Sequence, residues 1–394
     1  MIDWKQKADE IQPQLVARRR DFHQHPEIAF EEHRTAEIVS RRLNELGLEV
    51  QTGVGGTGVI GILEGREDGP TVLVRADMDA LPVQEANQTD YASRIANRMH
   101  ACGHDGHTSI ALGVAELLSP MRDELQGRVK FVFQPAEEVA LGAKAMVADG
   151  ALESPRPDIT VGLHLWNSLP LGKLGMTVGP AMAGASNFRI VVTGRGGHAA
   201  SPHLTVDPVV CAAHIVSALQ TIVSRNNDPF DSAVITVASI HGGDGAYNII
   251  PQSAEMVGTI RFFRDEVHAM ISDRMTALVT QMAAAFGCTA TVEIVPRTVP
   301  VVNHADVAGL LRPRFEQVVG LDNVDDTIRS MGAEDVGVFM NDVPGLYFFV
   351  GAQDLTQDQY YPHHHPKFSF DERALSLGTA LLTDAVAAYL LPDD

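Results

Sequence analysis

The chain has 394 residues, with 30 Lys plus Arg against 50 Asp plus Glu, a formal net charge of −20. That length exceeds one ordinary core and implies two domains. An acidic surface repels phosphate backbones and anionic lipids, which argues against nucleic-acid and membrane partners while leaving room for a small anionic substrate in a local positive pocket. No apolar run is expected to reach the length of a membrane span. The start, Met1-Ile2-Asp3-Trp4-Lys5, lacks the basic-then-apolar pattern of a signal peptide. Cys102, Cys211 and Cys288 are odd in number and widely spread, which speaks against a disulfide framework and for a reducing, cytoplasmic setting.

In chain order, residues 5–48 read as helix with a break near His25-Pro26. Thr71 to Asp77 is an apolar strand ending in acids, residues 106–119 read as helix, and Arg128–Phe133 and Thr160–Leu165 are further apolar strands. This alternation predicts an α/β fold, a central mixed sheet flanked by helices, with chemistry at the carboxyl ends of its strands. From 185 the pattern changes. Phe188–Thr193, Ala233–Ile240, Ala254–Phe263 and Thr289–Val295 read as strands, and Asp207–Ser224 and Glu266–Phe286 as helices. That βαββαβ order is ferredoxin-like. The expected organisation is therefore a large domain in two parts, 1–184 and 299–394, interrupted by an inserted domain over 185–298. The second part holds another apolar strand, Gly345–Val350.

Metal-type ligands concentrate at five places. They are Asp77 and Asp79, the run His100-Ala101-Cys102-Gly103-His104-Asp105-Gly106-His107, the pair Glu137-Glu138, His164, and His363-His364-His365. A lone Glu pair is usually a solvated loop and a triple His can be a surface turn. The Cys/His/Asp cluster is far harder to explain as core filler, and its thiolate, imidazole and carboxylate groups suit a borderline-soft divalent ion. Two such ions would activate water and polarise a carbonyl, and would need about five or six protein ligands plus one unliganded acid for proton transfer. Neighbours in an extended segment point opposite ways, so the glutamate pair can serve both needs.

The blocks at 75–82, 102–108, 133–138 and 194–203, with Arg20 to Glu27 and His364 to Asp371 at the two ends, resemble the aminoacylase and carboxypeptidase family of co-catalytic metallopeptidases. Within it they are similar to the hippurate hydrolase, or N-acyl-L-amino acid amidohydrolase, branch. The resemblance implies an enzyme holding two divalent ions (Mn, Zn, Co or Ni) that cleaves the amide of an N-acyl amino acid. It implies metal ligation by Cys102, His104, Glu138, His164 and His364, with the thiolate bridging both ions. It makes Glu137 the general base and then acid. Asp79 orients a ligand imidazole, with Asp77 assisting. His198 in the inserted domain donates to the oxyanion. Asn248 and Arg261 grip the substrate carboxylate. The inserted domain becomes a lid and dimerisation module, and the assembly a homodimer or homotetramer.

Two other functions compete: a dipeptidase or carboxypeptidase of the same family, and a metal-dependent binding protein without turnover. The unliganded Glu137 speaks against the latter. His23, His25, His33, His203 and His241 read as structural or surface residues, and the glycines at 194, 196 and 197 as a turn around His198. Two positions depart from the family pattern. Val139 stands where glycine is usual after the glutamate pair, and Val336 follows Glu334-Asp335 where phenylalanine is usual.

Overall fold

The computed structural model describes residues 2–355 and 359–392, and for Glu67 the main chain alone. The stretch expected as one broken helix forms three: Trp4–Glu10, Gln12–Gln24 and His33–Glu45. The additional break at Ile11 has a local cause. Pro13 cannot lie inside a continuing helix, but in the first turn of a new one its missing N–H costs nothing. Asp3 caps the first helix, accepting from Gln6 N at 2.9 Å. The second ends just before His25-Pro26, because a residue preceding proline is pushed toward extended backbone.

Contacts divide the chain into two units: Met1–Ala181 with Val301–Arg329 and Glu334–Asp394, and Met182–Pro300 with Ser330–Ala333. The first is built on an eight-stranded mixed sheet. At its centre Gln126–Gln134, Glu67–Asp77, Ile159–Pro170 and Gly345–Gln353 lie side by side in parallel. The sequence reading anticipates these four strands, shorter at their ends. Their near-continuous apolar runs follow from helices covering both faces. His104–Leu118 and Arg373–Leu390 pack together and are buried almost all round. Two strands not anticipated, Glu49–Val54 and Gly58–Glu64, extend the sheet as an antiparallel hairpin. The first is largely exposed, so its residues carry little apolar signal.

The second unit has strands Gly179–Thr193 (from Met182 onward), Ala233–Gly242, Ser253–Phe262 and Thr289–Thr298, and helices Pro208–Asn226 and Asp265–Ala285. The strands pair antiparallel in the spatial order fourth, first, third, second, the ferredoxin-like arrangement. The helices bury Cys211, Ile215, Leu219, Ile271, Met275 and Val279 against Phe188, Ile190 and Met256 in a separate core. A short strand, Ser330–Ala333, pairs with Met182 and Ala183 and groups with this unit, although the sequence reading leaves it in the final segment. Pro208–Asn226 corrects another expectation, because by length and composition it is apolar enough to cross a membrane. Five of its apolar residues, Cys211, Ala212, Ile215, Leu219 and Ile222, are buried in the unit's core.

Candidate metal centre and active site

Two parallel strands of the first unit, Glu67–Asp77 and Gln126–Gln134, end at the site, and Ile159–Pro170 carries His164 within its length. The chain leaves Glu67–Asp77 through Asp79, whose carboxylate accepts from Glu137 N at 3.0 Å and Glu138 N at 3.1 Å. It thereby locks the glutamate pair, which follows strand Gln126–Gln134 after a left-handed residue, Ala136 (φ 53°). Cys102 precedes helix His104–Leu118, and Gly103 joins them with φ 93°, where a residue without Cβ is favoured. His364 is also left-handed (φ 67°) and is held by its N–H to Ala101 O at 2.8 Å. A non-glycine residue in that conformation is rare and costly, a pattern that concentrates at functional sites.

Donor atoms of Cys102, His104 and His164 lie within 4.8 Å of one another, and so do those of Cys102, Glu138 and His364. Cys102 is common to both sets. The hydrogen bonds assign tautomers that suit ligation. His104 Nδ1 donates to Asp79 O at 2.9 Å and His164 Nδ1 to Leu165 O at 2.9 Å, leaving an Nε2 lone pair on each ring. His164 Nε2 lies 3.5 Å from Cys102 Sγ, and His364 Nε2 lies 3.4 Å from Glu138 Oε2. His104 Nε2 and Glu138 Oε1 are buried without a hydrogen-bond partner among the described residues. Buried polar atoms are almost always satisfied, so these orphans fit a cation between them. Charge agrees. Burial, with Glu138 and Glu137 nearby, pushes the Cys102 thiol well up. Burial, reinforced by Asp79 and Asp77, pushes Glu138 up to about 7. A cation removes both penalties.

Glu137 shares a cluster with His104 and Glu138, its Oε2 3.9 Å from His104 Nε2. Its carboxyl is driven well above the ordinary range by burial and then by Glu334, Glu138 and Asp335. Glu334 and Asp335 belong to a buried network that the sequence reading does not include in the site. Arg75 donates to Asp77 at 2.7 Å, Glu334 at 2.8 Å and Gln134 at 2.8 Å, and Tyr347 donates to Glu334 at 2.8 Å. Asp77 holds His107 rather than a candidate ligand: His107 Nδ1 donates to it at 2.7 Å while Nε2 accepts from Leu165 N at 2.9 Å. Both nitrogens of His107 are thus used. The carboxylate of Asp79 is spent on the glutamate backbone, and His104 is oriented mainly by its main-chain oxygen. His23, expected to be structural, is buried between Asp105 at 2.7 Å and Glu85 at 3.2 Å.

His198, Asn248 and Arg261 belong to the second unit. His198 lies opposite Ile249 in a two-stranded pair, and its Nδ1 accepts from Ala200 N at 3.1 Å, which places the proton on Nε2 and leaves that N–H free to donate. Asn248 O accepts from Ala199 N at 3.0 Å. Arg261, in strand Ser253–Phe262, has no carboxylate partner among the described residues, and burial lowers its pKa.

The profile of peptidase family M20/M25/M40 matches residues 73–388. The chain is 39% identical to an IAA-amino acid hydrolase ILR1-like 2 of Arabidopsis thaliana, over 98% of this chain and 87% of that protein. It is 36% identical to an N-acetyl-L-cysteine deacetylase of Bacillus subtilis, over 96% and 89%. Among solved structures it resembles YXEP of Bacillus subtilis, described as a dinuclear metal-binding peptidase, with TM-score 0.84 and 33% identity over 96% of this chain and 98% of that one. The chain belongs to peptidase family M20/M25/M40. It is an enzyme of the metal-dependent amidohydrolase and peptidase class, with a centre for two divalent ions.

Proposed function

We propose that the protein hydrolyses the amide bond of N-acyl amino acids, releasing a carboxylic acid and a free amino acid. The observation that carries this reading is the pair of donor sets pivoting on Cys102 with Glu137 beside them. Cys102, His104, Glu138, His164 and His364 would hold two divalent ions (Mn, Zn, Co or Ni), the thiolate and imidazoles suiting the softer of these and the carboxylate suiting Mn. When bound, the ions supply an activated water and polarise the carbonyl. Glu137 would take a proton from the attacking water and return it to the leaving nitrogen, and its burial among acids suits a carboxyl that must both hold and release a proton. Asp79 fixes the two glutamates by their N–H groups. His198 donates its Nε2–H to the developing oxyanion. Arg261, half-buried with no carboxylate partner among the described residues, takes the substrate carboxylate with Asn248. The substrates in the names of these two relatives agree with this class.

The second unit also serves as the dimer contact. Strand Ala233–Gly242 ends its sheet and is largely exposed, and the exposed positions of helix Pro208–Asn226 include Val209 and Val210. The test of the central reading is Glu137→Gln assayed on acetyl, benzoyl and indole-acetyl amino acids, with dipeptides alongside. Turnover should fall about a hundred- to ten-thousand-fold with metal content intact, and chelation of the wild type should abolish it. Loss of metal in the variant would exchange the roles of the two glutamates. Full turnover in metal-free protein would reject the reading.

A further inference from the structure

The turn that carries the glutamate pair is closed at both ends. Ala140 N donates to Glu137 O at 2.7 Å, and Leu141 N and Gly142 N both donate to Ala136 O, at 3.3 and 3.2 Å. Ala136 and Ala140 are left-handed (φ 53° and 55°). A Cβ on Gly142 would meet Pro135 O at 1.6 Å, so the chain doubles back against its own entry. Residues 139–141 therefore cannot move more than a few ångströms from the Glu137 main chain. The turn is also braced from outside, because Glu32 Oε1 accepts from Ala136 N at 2.9 Å and from Phe30 N at 3.0 Å. The three large apolar residues on these two joined turns all reach solvent: Val139 is 37% exposed, Leu141 43% and Phe30 37%. Scattered exposed apolar residues are ordinary. Here two of them flank a rigid turn whose other members are a buried catalytic acid and a candidate metal ligand.

We propose that Val139 and Leu141 form an apolar wall that sets selectivity for the acyl group. The inference rests on the N-acyl amino acid reading, in which the acyl carbonyl meets the water that Glu137 deprotonates, so that the acyl chain starts beside this turn. Long or aromatic acyl groups gain by covering the wall, and acetyl, with a single methyl, gains least. The occupant is thus an extended apolar acyl chain.

The test is kcat/KM for acetyl, butyryl and hexanoyl derivatives of one amino acid, in wild type and in Val139→Ser, Leu141→Ser and the double variant. Wild type should favour hexanoyl over acetyl by about tenfold, the order of discrimination that one or more methylenes give in an apolar site. The double variant should bring that ratio near unity while keeping the acetyl rate and the metal content. Competitive inhibition of the wild type by free alkanoates, strengthening from acetate to hexanoate, reads the same wall without a variant. A wild type indifferent to chain length, or variants that slow all three substrates equally, would overturn the wall. Inactivity of the wild type on the whole acyl series, with turnover of dipeptides, would overturn the function reading beneath it instead.

Discussion

Histidines that are identical as letters take different parts because of what the second ring nitrogen meets. His104 and His164 each spend Nδ1 on a carbonyl and keep Nε2, whereas His107 spends both nitrogens, on Asp77 and Leu165. His363 donates Nε2 to Leu165 O at 3.0 Å, and its neighbour His364 is the one beside Glu138. Away from the site, Lys130 is buried in its strand and donates to Glu153 O at 2.6 Å and Pro155 O at 3.1 Å. Burial pushes its amine down to about 8. An unfolded lysine keeps its proton to about 10.4. Between those values the unfolded chain binds more protons than the folded one, so this group's contribution to stability rises with pH and is lost as pH falls through about 8. In urea unfolding, wild type should therefore gain on Lys130→Met as pH is raised through that window. A difference independent of pH would show an unperturbed amine.

At the scale of elements, the helix His104–Leu118 starts where it does because Gly103 turns the chain with positive φ. A Cβ there has room, its nearest contact being 3.7 Å away, so the penalty of a side chain is conformational. Gly103→Ala should cost about 1–2 kcal/mol in thermal unfolding of the metal-free protein and weaken metal binding by shifting Cys102 against His104. The control is Gly309, within helix Ala305–Val319, where a Cβ would meet nothing within 4 Å. There alanine should be neutral or stabilise by up to about 1 kcal/mol. Equal effects at the two positions would mean that Gly103 is not needed for its turn. The strands feeding the site were legible in the sequence because burial on both faces makes apolar runs. The hairpin Glu49–Val54 and Gly58–Glu64 was not, because an exposed first strand shows no such run, and neither was the break at Ile11, which Pro13 alone signals.

For the whole molecule, the two units have separate hydrophobic cores. The candidate metal ligands belong to one and His198 to the other. If His198 serves a partner's site, mixing Glu137→Gln with His198→Ala should restore activity as mixed dimers form, because one site of each then holds both groups intact. Absence of rescue despite demonstrated subunit exchange would reject delivery from the partner and leave a same-chain role of His198 to be tested.

The sequence by itself determined the alternation of strands and helices, the inserted βαββαβ order and the cluster of metal-type donors, because periodicity and donor chemistry are local properties. Only the tertiary structure decided what the supporting acids do. Asp79 binds the main chain of Glu137 and Glu138, Asp77 binds His107, and Arg75 meets Glu334 across 259 positions of sequence. Nothing within a few residues of Arg75 points to Glu334. Strands Glu67–Asp77 and Gly345–Gln353 of the central sheet bring Arg75 and Tyr347 to one buried carboxylate, and a charge buried there persists only with such partners.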